Sequence, residues 1–134
     1  MAWHNGRMTP FGRKMRALRA AKDVTQKDMA RALGVSAAYL SALEHGNRGR
    51  PGPGLIMQIC DYFGLIWDQA DELKRLANVS RPRVVVDTSG LSPIATELAN
   101  ELAGNIGDLD EQTLQWILDE IRAQKENMDQ GPTH

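Results

Sequence analysis

The chain contains a single cysteine, few aromatic residues and no long apolar run among its 134 residues. Cys60 alone cannot form an internal disulfide framework, and its place in an apolar helical pattern predicts a buried thiol in a reducing compartment. No apolar run approaches the roughly 20 residues that cross a membrane, and the N-terminus lacks the apolar core of a signal peptide. These absences favour a cytoplasmic protein. A length of 134 residues is enough for one hydrophobic core and a smaller additional segment.

The sequence also lacks the patterns of a catalytic or cofactor site. His4, His45 and His134 are scattered without metal-ligand spacing. The glycine-rich stretch GNRGRPGPG has neither the preceding strand nor the lysine–serine ending of a phosphate-binding loop. Near the basic part of the chain, Trp3 and Tyr39 are too few to form a stacking platform for single-stranded nucleic acid. We therefore predict a protein that is not an enzyme and needs no cofactor or metal.

Charge is distributed unevenly along the chain, although the net charge is only −1. Residues 1–50 carry ten Lys and Arg against three acidic residues, which gives +7. Residues 51–83 carry four of each sign, and residues 84–134 carry two Lys and Arg against ten acidic residues, which gives −8. The basic first part indicates a surface for phosphates, and the acidic last part indicates a different role.

The stretch TQKDMARALGVSAAYLSALEHGNR, residues 25–48, predicts two short helices joined by a tight turn. Thr25 is a good N-cap, and Asp28 completes a capping box with it. Gly34 can end the first helix, and Ser36 can cap the second. Helices this short are not stable alone, so the pair must pack on other helices. The apolar positions expected to face the core are Met29, Ala30, Leu33, Leu40 and Leu43.

At these residues the chain resembles the Cro- and phage-repressor-like (XRE) helix-turn-helix family. The resemblance is carried, in matching order and spacing, by Thr25-Gln26, Ala30, Leu33-Gly34-Val35-Ser36, Tyr39-Leu40-Ser41, Leu43-Glu44, Gly46 and Arg48. It implies an all-α fold in which the second helix enters the major groove of double-stranded DNA. A helical hairpin that touches no nucleic acid is the alternative interpretation.

Five helices over residues 10–78 are expected to form the Cro/repressor-like domain, with the first helix beginning at Pro10. Residues 1–9 precede this domain as a flexible arm. The arm either has no function or brings His4 and Arg7 to a neighbouring minor groove.

Residues 79–134 are predicted to form a short extended linker and a C-terminal extension of two helices. The β-branched run Val84-Val85-Val86 favours an extended segment that packs on the domain or pairs with its copy in a second chain. Two amphipathic helices outside a complete domain need a partner for their apolar faces, and we expect them to form a homodimer. Folding back on the domain is the alternative. The residues assigned to dimerisation are Leu98, Leu102, Leu114, Trp116, Ile117 and Ile121.

The residues expected to contact DNA are Gln26, Lys27, Ser36, Ala37, Ala38, Tyr39, Ser41, Ala42, His45, Arg48 and Arg50. Phosphate contacts are expected from Gln26 at a helix N-terminus, from the Ser36 and Tyr39 hydroxyls, and from the loop residues Arg48 and Arg50. The alternative for Tyr39 is that its ring packs against the turn. The resemblance implies four base-facing positions, which are Ala37, Ala38, Ser41 and Ala42. Ser41 and the nearby His45 can each add one hydrogen bond to a base. The four positions include no Arg, Asn or Gln for bidentate pairing, which favours modest specificity or recognition of DNA shape.

The resemblance also implies a structural ion pair between Arg19 and Glu44, which joins the first helix to the end of the recognition helix. The predicted function is a sequence-specific DNA-binding transcriptional regulator, a repressor acting as a homodimer in the cytoplasm and on the nucleoid. The alternative is an antitoxin-type regulator whose acidic C-terminal half neutralises a protein partner.

Overall fold

The computed structural model of the protein describes residues 8–129, and all regular structure in this range is helical. The predicted all-α class is confirmed. Residues 1–7 of the expected N-terminal arm, which include His4 and Arg7, and the tail beyond residue 129 lie outside the described residues. The elements are α1 Pro10–Lys22, α2 Gln26–Leu33, α3 Ala37–Glu44, α4 Pro53–Phe63, α5 Asp68–Asn78, α6 Pro93–Asn105, a 3₁₀ turn Ile106–Asp108 and α7 Glu111–Asp129.

The ends of the first three helices are set by local capping chemistry. Thr9 precedes α1 and its hydroxyl accepts a hydrogen bond from the Gly12 amide at 3.0 Å. Thr25 and Asp28 form both bonds of the predicted capping box at the start of α2. Gly34 ends α2 with a φ of +74°, a left-handed conformation that glycine adopts without strain. The predicted capping box and the predicted end of α2 at Gly34 are therefore confirmed.

The chain divides into two compact units, Met1–Val84 and Val85–His134. In the first unit α1 packs against α3 and α5, while α2 packs against α3 and α4. The apolar side chains that meet there each contribute about 1.5–3 kcal/mol on burial. The largest of the fully buried apolar side chains are Phe11, Met15, Met29, Leu40, Leu43, Ile59 and Leu73.

The start of α1 touches the end of α3 backbone to backbone. Both the amide and the hydroxyl of Thr9 donate to the carbonyl oxygen of Glu44, at 3.1 and 3.0 Å. A Cβ atom at Gly12 would lie 2.1 Å from the same carbonyl oxygen. Glycine is therefore required at this position of α1, because any side chain would push α3 away.

The first unit continues beyond α5, where the sequence pattern predicted that the domain ends. Ser80 is buried, and its hydroxyl accepts from the amide of Phe11 at 2.9 Å and donates to the carbonyl of Leu76. Two residues later the ring of Pro82 lies on Gly46, just after α3. These contacts fix residues 80–82 on the domain.

The expected linker valines are exposed. Val84, Val85 and Val86 lie outside regular structure and have exposed fractions of 70%, 95% and 66%. Val84, the last residue of the first unit, is therefore not packed on the domain, which is one of the two roles expected for this segment.

The second unit contains α6, the 3₁₀ turn and α7. Ser92 caps α6 by accepting from the Ala95 amide, and Asp110 accepts from the Thr113 amide at the start of α7. No residue of either helix, over the described range, is buried. None of the helices in residues 8–129 combines the length and apolar character needed to cross a membrane.

Candidate nucleic-acid interface

A buried ion pair fixes the end of α3, the second helix of the helix-turn-helix, to α1. Arg19 of α1 donates to both carboxylate oxygens of Glu44, with Nη1–Oε2 at 2.5 Å and Nη2–Oε1 at 2.9 Å. Arg19 is 8% exposed and Glu44 is 1% exposed. The paired, bidentate geometry offsets the cost of removing both charges from water. The pair therefore fixes α3 relative to α1 without using any exposed atom of α3.

Gln26 contributes to this arrangement as well as to the candidate interface. Its side-chain amide donates to Glu44 Oε1 at 3.3 Å, and the residue is half-buried. A primary amide has two N–H groups, so one remains for a phosphate at the start of α2. Lys27, the next residue, is exposed.

The start of α3 presents Ser36 and Tyr39 to solvent. The Ser36 hydroxyl accepts from the Tyr39 amide at 3.0 Å, which leaves its own O–H as a free donor. The Tyr39 side chain is 37% exposed, and the guanidinium carbon of Arg48 lies 6.0 Å from its ring centroid. This cation–π contact brings an arginine of the following loop back to the start of the recognition helix.

The implied base-facing positions form a low surface. Ala38 is exposed, whereas Ser41 and Ala42 are half-buried, and Ala37 packs partly against the hydrophobic core. No long side chain projects among these four residues. The backbone of α3 can therefore approach a flat surface closely.

His45 follows the last residue of α3, and one of its ring nitrogens already has a hydrogen-bond partner. Its Nδ1 lies 2.8 Å from the carbonyl oxygen of Ser41. Because a carbonyl can only accept, Nδ1 must carry the proton, and Nε2 of the neutral ring is then an acceptor. His45 is thus suited to an amino group on a base edge.

The two loop arginines, predicted as one phosphate clamp, have different neighbours. Arg48 faces Tyr39, while Nη1 of Arg50 donates to Oδ1 of Asn78 on α5 at 2.7 Å. Arg50 also borders a groove of about 650 Å³ between α4 and α5, which includes Cys60 and Lys74 in its lining. Both arginines are exposed.

Two arginines that the sequence pattern left in the linker lie beside the same loop. A depression of about 520 Å³ is lined by Gly46, Asn47, Gly49, Arg81, Pro82 and Arg83. The available signal was the Arg-Pro-Arg spacing at residues 81–83. That spacing alone predicts no interface, because nothing local shows that these residues return to the end of α3.

The six residues assigned to dimerisation fall into two groups in the second unit. Leu98, Trp116 and Ile121 are exposed at 57%, 64% and 58%. Leu102, Leu114 and Ile117 are half-buried. The exposed group leaves apolar surface available on both α6 and α7.

Among the described residues, no group of three or more His, Cys, Asp or Glu side chains is placed to hold a metal ion.

Comparison with known proteins finds a family model described as a helix-turn-helix domain, which matches residues 10–76. The chain is 38% identical over 65 residues to the HTH-type transcriptional repressor RghR of Bacillus subtilis (strain 168), covering 45% of this chain and 48% of that protein. It is 40% identical over 52 residues to the uncharacterized HTH-type transcriptional regulator RghRB of the same organism, covering 39% of this chain and 37% of the relative.

A third relative from that organism, the uncharacterized HTH-type transcriptional regulator YazB, is 40% identical over 63 residues, which are 47% of this chain and 86% of YazB. The chain thus spans less than half of the length of RghR and RghRB and most of YazB. No solved structure matches the chain significantly.

Proposed function

Because the chain belongs to the XRE-like helix-turn-helix family, we propose that it is a sequence-specific, double-stranded DNA-binding transcriptional repressor that acts as a homodimer. The observation that carries this proposal is the low, small-residue face of α3, at whose start Arg48 lies against Tyr39. Lys27 is a second exposed cation of the helix-turn-helix. A helix with such a face can lie in the major groove while the flanking cations bind phosphates.

Base recognition in this proposal is modest. Ala38 and Ala42 can contact thymine methyl groups, while Ser41 and His45 supply one hydrogen bond each. Bidentate pairing to guanine or adenine is not available from alanine and serine. Much of the specificity would then come from the sequence-dependent shape and deformability of the DNA.

The second unit is proposed to join two DNA-binding units. One recognition helix alone contacts few base pairs, and sequence-independent binding has a Kd on the order of 10⁻⁴–10⁻⁶ M. Linking two units makes the second contact effectively intramolecular and raises affinity by roughly 10²–10⁴. The exposed Leu98, Trp116 and Ile121 support this role, because a second copy would remove their apolar surface from water.

Repression is proposed as the direction of regulation because the relative RghR is named a repressor. The proposed place of action is the nucleoid in the cytoplasm.

The experiment is selection of bound sequences from a random duplex pool, followed by affinity measurement on the enriched site and a scrambled control. We expect a palindrome with half-sites about one helical turn apart. The ratio of specific to non-specific affinity should fall near the low end of the roughly 10³–10⁷ range. A pool that shows no enrichment would contradict sequence-specific binding.

A second candidate function is supported by the charge of −8 on residues 84–134, together with the exposed apolar side chains of α6 and α7. An antitoxin-type regulator would use this acidic, apolar surface to bind and neutralise a basic protein. Purification from the native host separates the two candidates. A stoichiometric small basic protein favours the antitoxin, and a homodimer without one favours the repressor.

A further inference from the structure

The segment after α5 is fixed on the helix-turn-helix unit by alternate residues. Ser80 is buried beneath the start of α1, and Pro82 lies on Gly46. The residues between and after these anchors, Arg81 and Arg83, are exposed. The backbone of residues 80–82 is thus held in place, Arg83 follows directly, and both guanidinium groups remain accessible.

The surroundings of these two arginines are suited to an anion. The depression that they line contains loop residues Gly46, Asn47 and Gly49 but no acidic residue. Arg48 and Arg50 belong to the same loop, so four arginines lie in two neighbouring segments. Within the part of the chain that the structure describes, neither Arg81 nor Arg83 forms an ion pair, in contrast to Arg19 and Arg75.

We propose that Arg81 and Arg83 bind the phosphate backbone of DNA, as an arginine arm (residues 80–83) that extends the interface beyond the helix-turn-helix. The proposal rests on the DNA-binding function proposed above and adds a binding site to it. A guanidinium group binds phosphate through two parallel hydrogen bonds. Because the anchored backbone is already ordered, binding costs less conformational entropy than it would from a free tail.

The site lies next to the end of α3, which gives the arm a defined task. A helix in the major groove needs phosphate contacts on both sides to fix its depth and angle. The arm at the end of α3 would add phosphate contacts to the one proposed for Gln26 at the start of α2. These contacts are independent of base sequence, so they should act equally on all duplexes.

The test is fluorescence anisotropy with a mixed-sequence duplex of about 30 base pairs, long enough for two half-sites. The slope of log K against log salt is about 0.9 per phosphate contact. For the double variant Arg81→Ala/Arg83→Ala we expect the slope to fall by roughly two for each protomer bound. Between about 50 and 200 mM salt, the loss of affinity should therefore be about tenfold smaller than in the wild type for each protomer bound.

Two matched variants control this experiment. Arg81→Lys/Arg83→Lys keeps both charges and should retain most of the slope. Arg122→Ala/Lys125→Ala removes two exposed positive charges from α7 and should leave the slope unchanged. Circular dichroism melting of each variant should match the wild type, because all four side chains are exposed.

The outcomes separate this inference from the proposed function. If the wild type shows no salt-dependent binding, the DNA-binding function fails and the arm fails with it. If the wild type binds and Arg81→Ala/Arg83→Ala has an unchanged slope, the arm is wrong and the function stands. An equal fall of the slope in the α7 control would show a net-charge effect and would also overturn the arm.

Discussion

Arg19 and Glu44 are 25 positions apart in the sequence and share two hydrogen bonds in the interior of the first unit. Glu44 is the last residue of α3, and its backbone carbonyl also accepts two hydrogen bonds from Thr9. The end of the recognition helix is therefore fixed by its side chain and its backbone at once. The orientation of α3 depends on α1.

Glu44→Gln should destabilise the fold strongly. It keeps the size of the side chain but leaves the Arg19 charge buried without a counter-charge, at a cost on the order of 3–5 kcal/mol. For a unit of this size each kcal/mol lowers the melting temperature by roughly 4–8 °C. The matched control is Glu72→Gln, which makes the same chemical change in the exposed pair with Arg75 and should cost at most about 1 kcal/mol. A stable Glu44→Gln protein with selective loss of DNA binding would contradict the structural role.

Gly12→Ala should also destabilise, through the backbone contact with α3. The added Cβ would meet the Glu44 carbonyl oxygen at 2.1 Å, so the two helices must separate. Forced repacking of this kind costs typically about 1–3 kcal/mol. Gly54→Ala in α4 is the control, because nothing lies within 4 Å of its Cβ position, and it should be neutral or stabilising by up to about 1 kcal/mol. Equal urea midpoints for the two variants would refute the close contact.

Arg48→Ala should weaken binding to all duplexes alike. Loss of one phosphate contact lowers the salt slope by about one for each protomer, and the affinity for a scrambled duplex should fall with that for the selected site. Arg48→Lys is the control that retains the charge. If instead affinity falls only for the selected site and the slope stays constant, Arg48 contacts bases.

Cys60 should react slowly with a thiol reagent in the native protein. Burial raises the pKa of its thiol, so the reactive thiolate is scarce at neutral pH, and the residue is only 8% exposed. We expect the reaction rate with a chromogenic disulfide to rise by orders of magnitude in denaturant. A native rate equal to that of the unfolded chain would show that the thiol is accessible.

The features that could be predicted from the sequence are those with a local cause. Thr25, Gly34 and Ser36 act within three or four residues of themselves, through capping bonds or a left-handed turn. The core stripes followed from helical periodicity in the same way. The start of α5 at Asp68 has no such sequence signal; it follows Trp67, which has a φ of +54° and lies outside the helix.

The features that could not be predicted depend on contacts between distant segments. Nothing in the sequence around Gly12 shows that the Glu44 carbonyl lies against it. The return of Pro82 to Gly46 is equally non-local, and it moves Arg81 and Arg83 from the expected linker to the candidate interface. The assignment of the DNA-contacting residues, which came from the resemblance, stays a prediction.

The central claim is that the first unit binds DNA and the second unit pairs two copies. The most direct measurement is sedimentation velocity of the full-length protein and of residues 1–84 with a labelled palindromic duplex, at matched protein concentrations. Two protomers of the full-length protein should bind one duplex at a protein concentration roughly 10²–10⁴ times lower than the truncated form needs. Without DNA, the truncated form should sediment as a folded monomer. If residues 1–84 form a dimer that loads at the same concentration, the dimer interface lies in the first unit and the claim is wrong.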